Sequence, residues 1–185
     1  PPPPPPPPPF FSNHPRANPM LRSLVGSEMC IRDSPLAVPA STLNMAVLRG
    51  MHVTILRPNE FQLPESVMDK ARLIASDTGA KIEETADIHE AMSDANIIYA
   101  KSWVSPSYYE NLEEENKIRS KYKNWCISES WFKEAKKSCR FMHCLPVRRG
   151  VVVDDSVLDG SRSIVISEAK NRLLVQMAIL HTLLK

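Results

Sequence analysis

A chain of 185 residues is long enough for one ordinary domain or slightly more. Its formal net charge of +2 lacks the basic excess of a nucleic-acid-binding surface. No apolar run is long enough to span a bilayer, and the leading proline run is not the apolar stretch of a signal peptide. The four cysteines, Cys30, Cys126, Cys139 and Cys144, form no CxxC pair and suit no disulfide framework, so they read as reduced thiols of a cytoplasmic protein. Cys139, His143 and Cys144 resemble part of a metal set. Two of the three are sequence neighbours and no fourth ligand is evident, so no metal is expected.

Residues 1 to 34 hold eleven of the 17 prolines, nine of them in the run Pro1 to Pro9. Such a run forms a stiff polyproline II helix, which suits either an aromatic groove or a low-complexity tail. "LRSLVGSEMCIRDS", Leu21 to Ser34, resembles the translated sequencing-adapter fragment that contaminates some assembled sequences, and it joins abruptly to "PLAVPAS". Residues 1 to 34 are therefore set aside from the fold as an artefactual or disordered leader. Residues 35 to 185 carry 20 basic against 19 acidic residues and recurring apolar segments, enough to bury a core.

In chain order, Ser41 and Thr42 open a helical pattern that stops at Gly50. "HVTIL", His52 to Leu56, reads as a buried strand. Pro64 and Glu65 suit the first turn of a helix that Gly79 ends. "KIEET", Lys81 to Thr85, is a short strand, and Asp87 caps a brief helix through Met92. "NIIYA", Asn96 to Ala100, is a further buried strand, and "SYYENLEEENKIRSKYK" is polar and helical. "WCIS", Trp125 to Ser128, is a weaker strand followed by a short helix over "ESWFKEAKKS". "FMHCL", Phe141 to Leu145, and "SIVIS", Ser163 to Ser167, are the last strands. A helix from Glu168 follows, with Leu173, Met177, Leu180 and Leu184 on one stripe. Apolar strands alternating with helices predict an α/β fold, a three-layer Rossmann-like parallel sheet with helices on both faces. No GxGxxG is present, which disfavours the nucleotide-binding version.

Ligands of such sheets gather at the carboxyl ends of strands. Two strands end in polar segments: "NIIYA" runs into Lys101, Ser102 and Trp103, while "FMHCL" carries His143 and Cys144 and leads to Pro146, Arg148 and Arg149. Lysine and arginine there could hold carboxylate or phosphate groups. Taken singly, Lys101 reads as solvated, Cys144 as a small buried hydrophobe and His143 as a hydrogen-bonded structural residue; Trp103 reads as core or as site.

Together, "HCLPVRR" resembles the signature loop of the aspartate/ornithine carbamoyltransferase family, in particular its branch acting on N-acylated ornithine. The resemblance runs from about Pro35 to Lys185 through "AVPAS", "GMHVTILRP", "YAKSW", "FMHCLPVRRG" and "SEAKNRLLVQMAIL". It implies transfer of the carbamoyl group of carbamoyl phosphate to the side-chain amine of an ornithine derivative, in arginine biosynthesis and without a cofactor. By resemblance, Lys101 pairs with the α-carboxylate, Cys144 and the Leu145 carbonyl line the amine, and Arg148 approaches the acyl end. Trp103 lines the substrate. His143 and Arg172 lie near the carbamoyl phosphate and stabilise the developing oxyanion.

The chain departs from the family's pattern. The lysine that part of the family carries four residues after Arg148 is Val152 here. The phosphate-binding Ser-Thr-Arg-Thr loop and the HxxQ segment of the family's N-terminal domain are absent from these residues. The expectation is therefore the amino-acid-binding half of an enzyme. It lacks its carbamoyl-phosphate-binding domain and the first strand of its own sheet, is a homotrimer when intact, and is inactive alone. The other readings are a non-catalytic amino-acid-binding module, an ornithine carbamoyltransferase acting on the free amino acid, and a proline-tailed interaction protein.

Overall fold

A computed structural model describes residues 21–25, 37–101 and 112–184. Trp103, the proline run and the start of the "SYYENLEEENKIRSKYK" segment lie outside the described residues. The centre is a five-stranded parallel sheet in the order β3-β2-β1-β4-β5. Its strands are β1 (Leu21–Val25), β2 (Val53–Leu56), β3 (Ile82–Thr85), β4 (Ile97–Ala100) and β5 (Arg140–His143). The α-helices are α1 (Ala37–Leu48), α2 (Glu65–Thr78), α3 (Ile88–Met92), α4 (Leu112–Ser120), α5 (Asp155–Leu158) and α6 (Val165–Leu183).

Strand alternation explains why the strands are apolar throughout. Ile98 and Ala100 of β4 join Phe141 of β5 and Leu56 of β2 in one core, with Trp125, Ile127, Trp131, Val153 and Val157. Tyr99 of β4 joins Val53 and Ile55 of β2 in a second core, with Leu43 and Val47 of α1 and Met68 and Ala71 of α2. Helical segments thus cover both faces, as the sequence pattern predicts. Phe141 is fully buried, a burial worth roughly 1.5–3 kcal/mol relative to exposure.

Several ends follow local chemistry. The Asp87 carboxylate accepts from the backbone amides of His89 and Glu90 and caps α3. Gly79 closes α2 at φ 73°, a left-handed conformation that a side chain would strain. α1 begins earlier than Ser41 because Pro39 fits its first turn.

Three expectations need correction. Leu21–Val25 was set aside from the fold, yet it forms the central strand, pairing with β2 at Leu21↔Val53 and with β4 at Val25↔Ala100. The position between β2 and β4 is thus occupied. Three steps along β1, Leu21 to Leu24, match two along β4, Ile97 to Tyr99, so β1 carries an irregularity there. Trp125–Ser128 is not a strand: 3-10 turns span Lys123–Trp125 and Glu129–Lys133, and only Ile127 bridges, to Val153. The two tryptophans pack edge to face, 6.3 Å between centroids, which fixes those turns in the core. "SIVIS" is not a strand either. Ser163 alone bridges Phe141, and α6 starts at Val165, because the Glu168 amide already donates to the Ile164 carbonyl at 2.9 Å.

α6 is poorly covered. Val165 is buried, but Leu173, Leu174, Val175, Met177, Ile179, Leu180 and Leu183 are all about half exposed or more. A helix apolar around most of its circumference requires burial, and this one offers a large exposed patch. No described helix is long and apolar enough to cross a membrane. Replacing Leu173, Met177 and Leu180 together by Gln is expected to reduce concentration-dependent self-association of the chain, measured by light scattering, with little loss of thermal stability.

Candidate functional site

The parallel register of β4 and β5 ends at Ala100↔His143. The next residues, Lys101 and Cys144, therefore emerge side by side at the carboxyl edge of the sheet. Lys101 is only 6 % exposed, so its ammonium is brought in on a buried stem rather than left in solvent. Cys144 is half-buried, and Leu145 is 48 % exposed and precedes a cis peptide to Pro146. This edge brings together Lys101, His143, Cys144 and Leu145, as the sequence suggests.

His143 is 1 % exposed, and its ring lies on the Phe141 face of the sheet. Its Nδ1 is hydrogen-bonded to the Cys144 carbonyl oxygen. A carbonyl only accepts, so Nδ1 carries the proton. Nε2 is then a lone-pair acceptor, and it is buried with no partner among the described residues. Burial pushes the imidazole down to about 4, and the Lys101 ammonium adds to that, while the Cys144 carbonyl opposes it. A neutral ring held this way has no proton on Nε2 to offer an oxyanion. The oxyanion role expected of His143 is therefore unsupported by its geometry.

The two arginines have separate fates. Arg149 forks onto Asp159 at 2.7 and 2.8 Å and reaches Asp155 at 2.6 Å, so it fastens the loop to α5 and is not available to hold an anionic ligand. Gly150, at φ 66°, makes the turn that allows this. Arg148 is exposed at the loop. Val152 is buried in the core. Arg172 is exposed on α6, one turn beyond Glu168.

Sequence reasoning missed one pair. The Tyr99 hydroxyl donates to Glu168 Oε1 at 2.8 Å across 69 residues. Burial raises the Glu168 carboxyl above its ordinary value, against the pull of Tyr99 and of the His143 backbone amide. Burial and the Glu168 charge likewise raise the Tyr99 phenol. The available signal was a tyrosine in an otherwise aliphatic strand and an acid at the start of the last helix. A cavity of about 640 Å³ lies elsewhere, lined by Asp87, His89, Trp131, Lys133 and Glu134 among others. None of the predicted site residues lines it, and its acids are engaged: Asp87 caps α3, and Glu134 pairs with His89 at 2.6 Å. Among the described residues no group of three or more His, Cys, Asp and Glu could hold a metal.

The His143 geometry sets a pH dependence. The unfolded imidazole takes up its proton near 6.5, the folded one only near 4, so stability is lost as pH falls from about 6.5 to 4. The slope reaches about 1.4 kcal/mol per pH unit. Glu168 acts with the opposite sign, since its folded carboxyl holds a proton above the ordinary range. Urea unfolding at several pH values is expected to show the acid loss in the wild type and a flatter profile in His143→Asn.

Comparison with known proteins identifies the family. Residues 28–183 match the family described as aspartate/ornithine carbamoyltransferase, Asp/Orn binding domain. The N-acetylornithine carbamoyltransferase of Xylella fastidiosa is 40% identical over 148 residues, covering 80% of this chain and 44% of that protein. The ornithine carbamoyltransferase of Oceanobacillus iheyensis is 39% identical over 140 residues, covering 75% and 42%. A crystal structure of acetylornithine transcarbamylase complexed with acetylcitrulline superposes with a TM-score of 0.78 at 34% identity, over 86% of this chain and 48% of that one. The chain thus spans a little under half the length of these relatives. It belongs to the aspartate/ornithine carbamoyltransferase family, and what it matches there is the Asp/Orn-binding domain.

Proposed function

We propose that the chain is the amino-acid-binding part of a carbamoyltransferase acting on an N-acylated ornithine. The observation that carries this reading is the β4–β5 register, which sets a buried lysine beside the Cys144–Leu145 carbonyls. Support for the acyl group comes from the N-acetylornithine carbamoyltransferase relatives and from a transcarbamylase variant crystallised with carbamyl phosphate and N-succinyl-L-norvaline.

In this reading Lys101 holds the α-carboxylate as a point charge. Carbonyl oxygens at Cys144 and Leu145 accept N–H bonds from the side-chain amine and so aim its lone pair at the carbonyl carbon of carbamoyl phosphate. The new C–N bond forms, the C–O bond to phosphate breaks, the electron pair leaves with phosphate, and the departing phosphate takes up the proton that the amine loses. His143 Nε2 is an acceptor for an N–H group in this site. Arg172 stabilises negative charge on the carbonyl oxygen, a contribution of positioning and electrostatics rather than covalent catalysis. Arg148 approaches the acyl end, and Trp103 is a further substrate-binding residue.

The working enzyme of this reading is a cytoplasmic homotrimer completed by a carbamoyl-phosphate-binding domain, and that domain is the proposed cover for α6. The second reading, an ornithine carbamoyltransferase proper, draws on the Oceanobacillus relative, which is nearly as similar.

Calorimetric titration separates the two. N-acetylornithine or N-succinylornithine is expected to bind more tightly than ornithine, and the reverse order would contradict the N-acyl assignment. Lys101→Ala is expected to weaken binding about ten- to a hundredfold, the value of one charge-assisted hydrogen bond of roughly 1.5–3 kcal/mol. The purified chain alone is expected to form no citrulline derivative from carbamoyl phosphate.

A further inference from the structure

We propose that Glu168 is a positioning residue: it clamps the first turn of α6 to the end of β4, the strand paired with β5, and thereby sets where Arg172 stands against the 143–145 segment. This rests on the reading above for its functional consequence, but the clamp itself is geometric. Glu168 sits in the first turn of α6 and accepts from the Tyr99 hydroxyl at 2.8 Å. Tyr99 is the penultimate residue of β4, two positions before Lys101. One side chain therefore joins the first turn of α6, the helix that carries Arg172, to the strand that leads into Lys101.

Helix geometry gives the clamp its reach. Residues four apart lie on one face of a helix, one turn above the other, so fixing Glu168 fixes the azimuth of Arg172. Beyond Val165 and Glu168 little else holds α6, because the helix is exposed along most of its length. Val165 supplies an apolar contact, which tolerates rotation, whereas a hydrogen bond to a named oxygen does not. Glu168 Oε2 is buried with no partner among the described residues, so the carboxylate bears a desolvation cost that solvation at the surface would avoid. Its retention there fits a positional duty.

Hydrogen exchange on the intact chain tests the clamp. Tyr99→Phe and Glu168→Ala are each expected to speed exchange of first-turn α6 amides and of Cys144 by about tenfold or more, with α2 unchanged. The double variant should add little, since the two residues share one interaction. Glu168→Gln, which keeps an acceptor oxygen for Tyr99, should restore most of the protection. A uniform rise across the chain, or no rise in α6, would overturn the proposal.

Nuclear Overhauser contacts between the Arg172 side chain and residues 143–145 are the second arm. Glu168→Ala should weaken them, and Glu168→Gln should retain them. Absence of these contacts from the wild type, or contacts unchanged in Glu168→Ala, would show that Glu168 does not set Arg172 and overturn that part. If the wild type binds no N-acetylornithine while the exchange and contact patterns hold, the substrate reading fails and the clamp stands.

Discussion

The parallel pairing of β4 with β5 is the constraint on which the rest depends. Four matched positions, from Ile97↔Arg140 to Ala100↔His143, determine which side chains share a face and which residues leave the sheet together. A slip of one residue would turn Phe141 out of its core and carry His143 to the opposite face. Phe141 and Ile98 are fully buried on one side and Tyr99 nearly so on the other, so the register is held from both faces.

From that register the chemistry of the edge follows. On the Phe141 face, the imidazole of His143 is desolvated and tied to the Cys144 carbonyl, which leaves it neutral and accepting. On the Tyr99 face, the phenol reaches Glu168 and holds the start of α6. The loop beyond β5 is held by Arg149, which forks onto Asp159 and reaches Asp155 of α5. The edge brings a cation, carbonyl acceptors and a neutral imidazole to one place.

Much of this was legible in the sequence, for identifiable reasons. β2, β4 and β5 are buried on both sides, so their apolar runs announce them. α2 is bounded by Pro64 and Gly79, whose conformational limits act without tertiary help. Asp87 caps α3 by a purely local bond. Elements set by long-range contact were not legible. Trp125–Ser128 has strand-like composition, but aromatic edge contacts hold 3-10 turns on either side of Ile127. Arg148 and Arg149 are indistinguishable as neighbours until Asp155 and Asp159 come into view. Leu21–Val25 was hidden by its setting, since nothing local in a proline-rich leader announces a partner in β2 and β4. Tyr99 and Glu168 stand 69 residues apart and meet only once the sheet is formed.

The most direct test of the account is where an N-acylated ornithine binds. Amide chemical-shift mapping of the labelled chain during titration with N-acetylornithine locates the ligand without relying on turnover. The account predicts shifts concentrated at Lys101 and from His143 to Leu145, at the joined ends of β4 and β5. Shifts centred instead on the cavity around Asp87, Trp131 and Lys133, or no shifts at any concentration tested, would contradict it.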